Sequence, residues 1–271
     1  MQSSEAAFRR RREQGSETPA CQSVPHDSRG MTLVELLVAM LIGFILLTGL
    51  VQIAAGARSS FRLQEALAEV QESGRFVIDS LGDILRQSAF TPEPWSEITV
   101  AVGLTAESAD AVSGRGDRLA IRTWSERNCF GNPNPVTDAA DLPRYFLKES
   151  VLELNDAGNL THTCRYGPTA EEFVTQIQRQ GLVQNIDAFQ ALYAEDLDGD
   201  GTADHWTPGG DWLNEDRVLG LQLAVLLGSS TTVKEPMSRA YNVLDQVVTT
   251  PADGKLRRVF TYVQALRGRS R

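Results

Sequence analysis

"SRGMTLVELLVAMLIGFILLTGLVQIAAGA", residues 28–57, decides how the chain is organised. From Leu36 to Ala57 there are 22 residues without a charge. At about 1.5 Å per residue they make roughly 33 Å of helix, enough to cross the hydrocarbon core of a bilayer. A single carboxylate, Glu35, stands at the head of this run. An ionised carboxylate inside hydrocarbon costs about 3 kcal/mol on insertion scales, so something must offset it. Gly43, Gly49 and Gly56 weaken the same helix by about 1 kcal/mol each relative to Ala.

Residues 1–30 are polar, carry Arg9 to Arg12 and Arg29, and contain no apolar block. An ordinary secretory signal is cut after its apolar stretch; here the junction at Gly30 precedes it. The basic leader places the N-terminal side in the cytoplasm and predicts that the C-terminal part is exported. The rest of the chain has globular composition, 42% hydrophobic and 23% charged. It reads as one span followed by a soluble domain, not a polytopic membrane protein. The net charge of −9 lacks the basic stripe that a nucleic-acid binder needs. The tail is a local exception, with Lys255, Arg257, Arg258, Arg267, Arg269 and Arg271, and reads as a solvated basic last strand.

The order Gly30, Met31-Thr-Leu-Val-Glu35, apolar block resembles the class III signal of type IV pilins and type II secretion pseudopilins. The resemblance implies that a prepilin peptidase cuts after Gly30 and that the new amine of Met31 is methylated, although Phe is the usual residue at that place. Cleavage there creates an ammonium, and in a stack of helices the Glu35 carboxylate of one subunit could pair with the Met31 ammonium of its neighbour. Pairing the two charges in hydrocarbon offsets much of the cost of either. The plainer alternative is that Glu35 snorkels to the headgroups.

Beyond the span the pattern stays helical. Leu63, Leu67, Val70, Gly74, Val77, Leu81 and Ile84 recur at steps of four and three, predicting one apolar stripe on a helix running from about Thr32 to Phe90. Thr91-Pro92-Glu93-Pro94 is expected to end it. The remainder reads as short strands, at 118–124, 144–154, 159–164, 182–194, 217–228 and 257–266, with a hairpin turn at 155–158. The expected fold is α+β and type IV pilin-like, a long N-terminal helical spine packed against a mainly antiparallel β-sheet head. Its expected parts are the leader 1–30, the membrane or filament-core half 31–57, the amphipathic half 58–90 and the head 92–271.

Of three cysteines, Cys21 lies in the leader. Cys129 and Cys164 remain, an even pair in an exported domain, and predict a disulfide. Two cysteines with the scattered His162 and His205 do not give zinc-ligand spacing. The stretch "EDLDGDGTADHW", residues 195–206, places Asp196, Asp198, Asp200, Gly201, Thr202 and Asp204 at positions 1, 3, 5, 6, 7 and 9 of a calcium loop. Thr207 stands where a bidentate acid belongs, so Ca²⁺ would be held by Asp196, Asp198, Asp200, Thr202 and Asp204 and completed by Asp211, Glu195 or water. An acidic hairpin loop without an ion is the plainer reading.

No phosphate loop, GxSxG elbow or HExxH motif occurs, and three histidines make a nucleophile with its base hard to assemble, so an enzyme is not expected. "CFGNPNP" near 129, "LTHTC", the 182–206 stretch, "VLGLQLAVLLGS" and "RRVFTYVQALRGR" resemble PilW-type minor pilins. That resemblance implies a low-abundance subunit, anchored in the bacterial inner membrane with its head in the periplasm until it enters the pilus tip. Its partners would be other minor pilins, the major pilin, the prepilin peptidase, the inner-membrane assembly platform and an adhesin at the tip, with no direct nucleic-acid contact. The J-type minor pseudopilin of type II secretion is the nearest alternative. An anchored calcium-dependent binding module is a second.

Overall fold

The structure, a computed structural model, describes residues 30–90, 92, 103–110, 116–135, 144–233 and 237–266. The leader with Cys21, the breakers Thr91, Glu93 and Pro94, and the tail residues Arg267, Arg269 and Arg271 lie outside the described residues. The chain divides into two compact units, Met1–Ala54 and Ala55–Arg271.

Helix α1 spans Leu33–Arg86. In the first unit it is the apolar run itself, with large side chains such as Met40, Phe44 and Leu47 exposed. By length and composition it could cross a membrane.

In the second unit α1 is amphipathic. Its buried face is Ala66, Val70, Gly74, Val77, Leu81, Gly82 and Leu85. This corrects the stripe at both ends. Ala66 is buried where Leu67 is 39% exposed, and Leu85 is buried where Ile84 is only half-buried. Apart from Gly82, the buried residues follow steps of four, four, three, four and four, which turn the contact line around the helix in the opposite sense to an alternating pattern of four and three.

The helix also stops four residues before the expected Phe90, ahead of the prolines. Ser88 N–H bonds back to the Leu85 carbonyl, and Ala89 adopts a left-handed φ of 59°. The released backbone is taken up by strand β2, Leu119–Ser125: Ala89 N–H donates to the Arg122 carbonyl, and Thr123 Oγ1 donates to the Gln87 carbonyl. The sheet edge, and not proline alone, ends the helix.

Among the described residues the head holds three antiparallel sheets. The first has the order β1-β2-β3-β4-β5, with β1 Gly103–Leu104, β2 Leu119–Ser125, β3 Phe146–Leu154, β4 Leu160–Gly167 and β5 Val174–Val183. The second has the order β11-β8-β6-β7, with β6 Ile186–Glu195, β7 His205–Pro208, β8 Val218–Thr232 and β11 Lys255–Ala265. The third is the hairpin of β9 Arg239–Val243 and β10 Gln246–Thr250. The expected turn at 155–158 joins β3 to β4: Gly158, at φ 74°, donates its N–H to the Asn155 carbonyl. The run read as one strand over 182–194 is two. Asn185 turns the chain at φ 60°, closing β5 and opening β6.

One core fills the head. Val70, Val77, Leu81 and Leu85 of α1 pack with Leu119, Ile121 and Leu152 of the first sheet and with Phe189, Tyr193, Leu221 and Leu223 of the second. Each such side chain, fully buried, contributes about 1.5–3 kcal/mol. A smaller cluster of Ala188, Ala224, Leu226 and Val243 seats the β9–β10 hairpin on the back of the second sheet. At the far edge of the first sheet, β5 is mostly exposed and its register against β4 breaks at three places.

Candidate functional site

The first site candidate is the start of α1. Thr32 precedes the first helical residue, and the Thr32 Oγ1 accepts from the Glu35 N–H at 3.3 Å. In return the Thr32 N–H and Oγ1–H donate to Glu35 Oε2, each at 3.5 Å. This is a reciprocal cap in which Ser or Thr and an acid three residues later satisfy each other's free donors. Its signal in the sequence is the Thr-x-x-Glu spacing at residues 32–35. Glu35 therefore has a local partner within its own chain. Gly30, Met31 and Glu35 are all exposed at the start of the helix.

The second candidate is the loop from β6 to β7. Its ends are held by the Glu195–His205 strand pair and by Asp204 N–H donating to the Glu195 carbonyl at 2.9 Å. Asp196, 5% exposed, accepts from the N–H of Gly199 at 2.6 Å and of Gly201 at 2.9 Å. Both glycines sit at positive φ, 83° and 86°, which is why glycine stands there. Bonds from the Gly201 and Gly199 amides, aided by the nearby Arg217 charge, hold the Asp196 carboxyl below its ordinary pKa.

Carboxylate oxygens of Asp196, Asp198 and Asp204 lie within 4.8 Å of one another, so these three could hold a cation. Asp200 is not in that group. The Asp200 carboxylate accepts the Thr202 N–H at 2.7 Å and serves the turn. Of the expected completions, Glu195 accepts the N–H groups of Leu213 and Asn214 through Oε1 at 2.8 and 2.9 Å, while its buried Oε2 lies 3.6 Å from His205 Nε2. Thr207 is buried in β7 opposite Tyr193.

Cys129 and Cys164 form a disulfide, with Cα atoms 5.9 Å apart. It ties the loop after β2 to strand β4. Within that loop Asn128 Oδ1 accepts the N–H groups of Phe130 and Asn132, both at 3.0 Å. Asn134 Nδ2 donates to the carbonyls of Ser125 and Arg144. Phe130 is left 63% exposed on the strapped loop.

Residues 157–268 match the family described as "Type IV Pilus-assembly protein W", and residues 25–51 match the "Prokaryotic N-terminal methylation motif". The chain is PilW-like. The two matches fall on the strands from the β3–β4 turn to β11 and on the start of α1, so the PilW-like head and the methylation motif occur on one polypeptide. Among solved structures, a type IV-like pilin from Thermus thermophilus is similar at 15% identity and a TM-score of 0.49, covering 78% of this chain and 98% of its own. No curated protein matches.

Proposed function

We propose that the chain is a minor pilin of a type IV pilus, helping to prime assembly and forming part of the tip complex with other minor pilins and an adhesin. The observation that carries this reading is the exposed Gly30–Met31–Glu35 cluster at the mouth of an apolar helix whose other half is packed into a PilW-like head. A head built around its own helix has no core reason to expose the apolar half; a bilayer or a bundle of sister helices supplies the missing surroundings. The Met31 amine released by cleavage would compete with Thr32 for Glu35. A charged donor makes the stronger hydrogen bond, so assembly would exchange a local cap for a contact between subunits.

In this reading the Asp196–Asp198–Asp204 trio takes Ca²⁺ and stiffens the β6–β7 loop, with water as the remaining ligands. Head and anchor await assembly in the inner membrane, with the head in the periplasm.

Intact-mass spectrometry of the protein from native membranes tests the processing step. The expected species begins at N-methylated Met31, and a chain retaining residues 1–30 where prepilin peptidase is active refutes the reading. Glu35→Ala separates assembly from simple anchoring: a pilus subunit loses incorporation, whereas an anchored binder retains its function.

A further inference from the structure

We infer that the cavity between the end of α1 and strands β2, β3 and β4 is a binding site for a small oxyanion, a carboxylate or phosphate group, gripped by Lys148. The cavity is about 150 Å³, the size class of a benzene-sized guest. Ile84, Ile121 and the Cys129–Cys164 disulfide supply apolar wall, while Lys148, Ser150 and His162 supply the polar side.

The charge pattern of this wall is unbalanced. Among the described residues Lys148 pairs with no carboxylate; its ammonium donates only to the Gln87 amide oxygen, at 3.1 Å. The other cation, Arg122, is spent on Glu149, with Nε and Nη2 at 3.1 and 2.6 Å from the same oxygen. Asp83, at the rim, is paired with Arg86. The hydroxyls of Ser88 and Thr123 donate to the carbonyls of Leu85 and Gln87.

What remains for a guest is the Lys148 ammonium and the Ser150–His162 pair, whose Oγ and Nε2 are 3.1 Å apart. Burial lowers the pKa of Lys148, and burial together with the Lys148 charge lowers that of His162. Both shifts are those of a site in which positive charge has no counter-ion. An oxyanion between these groups would supply it through charge-assisted hydrogen bonds, which are shorter and stronger than neutral ones.

The chain has three histidines, so its ring protons are easily resolved by nuclear magnetic resonance. Full-length protein in detergent micelles would be titrated with sodium acetate, and separately with inorganic phosphate, against chloride at constant ionic strength. The expected result is a saturable movement of the His162 signal, identified by its loss in His162→Phe, with the His205 signal unmoved. Lys148→Met should weaken that response at least tenfold, and whichever anion binds more tightly names the group the cavity takes. Lys148→Gln, which keeps the stem and a hydrogen-bonding head, should weaken it similarly and guards against misfolding of the first variant. A response that does not saturate, that moves His205 equally, or that survives both variants overturns the assignment.

Discussion

Gly74 of α1 faces the ring of Phe260 on β11 so closely that a Cβ at residue 74 would come 2.2 Å from the ring's Cζ. The ring rests where any other residue would place a side chain. Helix propensity alone would reward Gly74→Ala by about 1 kcal/mol, but forcing a methyl into a filled site costs about 1–3 kcal/mol, and here the neighbour is a whole aromatic ring. The substitution should therefore lower the head's stability in urea unfolding. The same change at Gly56, where nothing lies within 4 Å, should not destabilise it. Adding Phe260→Ala to Gly74→Ala should recover part of the methyl's cost, a coupling that a double-mutant cycle reads directly.

Reducing the Cys129–Cys164 bond reopens a loop of 35 residues. Chain-entropy reasoning predicts a loss of about 3–4 kcal/mol. Thermal melts of the oxidised protein and of Cys129→Ser should differ accordingly, and an unchanged melting temperature would show that Asn128 and Asn134 hold the loop unaided.

Glu149, whose side chain is 1% exposed, bonds Arg122 through one oxygen and Arg165 through the other, both at 2.6 Å. Glu149→Ala leaves Arg122 without its carboxylate and Arg165 with Glu107 alone, and should cost about 3 kcal/mol. Denaturation at low and high salt checks it: screening should relieve part of the penalty in the variant more than it affects the parent.

Asp253 is held far below the usual carboxylate range, chiefly by its paired hydrogen bonds from Arg257. Because its folded pKa is depressed, the pairing stabilises the fold above the unfolded pKa of about 3.9 and fades as pH falls through the folded value. Asp253→Asn should therefore be less stable than the parent at neutral pH and should lose less stability on acidification below pH 4. Parallel acid-limb curves would contradict the assignment.

Calcium should raise the melting temperature of the head, and Asp198→Asn should abolish the rise, because it removes one of only three clustered carboxylates. Asp200→Asn should matter less, since that side chain lies outside the three-carboxylate group.

Much of this architecture was legible because it rests on periodicity. The apolar run, the amphipathic helix and strands β2, β3, β4, β8 and β11 announce themselves by runs or regular spacing of apolar residues. What escaped was set by neighbours. Strand β5 carries Gln176, Gln178, Arg179 and Gln180 and shows no alternation, because most of it stands exposed at a sheet edge. The short β1 and β7 exist only as partners of β2 and β6. The helix end at Arg86 depends on carbonyls reaching β2, a contact no local pattern encodes. At the Asp loop, residue spacing named the ligand-bearing segment correctly but could not tell which oxygens turn inward and which are consumed by backbone amides. At Glu35 the chemistry of burial posed the question, while the cap with Thr32 sat unread in the same six residues.

The frayed outer border of the first sheet has a consequence for how such a molecule behaves in a crowd. A long, flat, apolar margin invites a foreign chain to zip on as another strand, and an exported protein waiting in a membrane would meet many. Here that margin is β5, studded with glutamine and arginine and thrown out of step with β4 at three points. It offers a poor template for runaway recruitment through the sheet. Under the proposed function, polymer growth would instead fall to the exposed apolar half of α1, which cutting after Gly30 would bring under control.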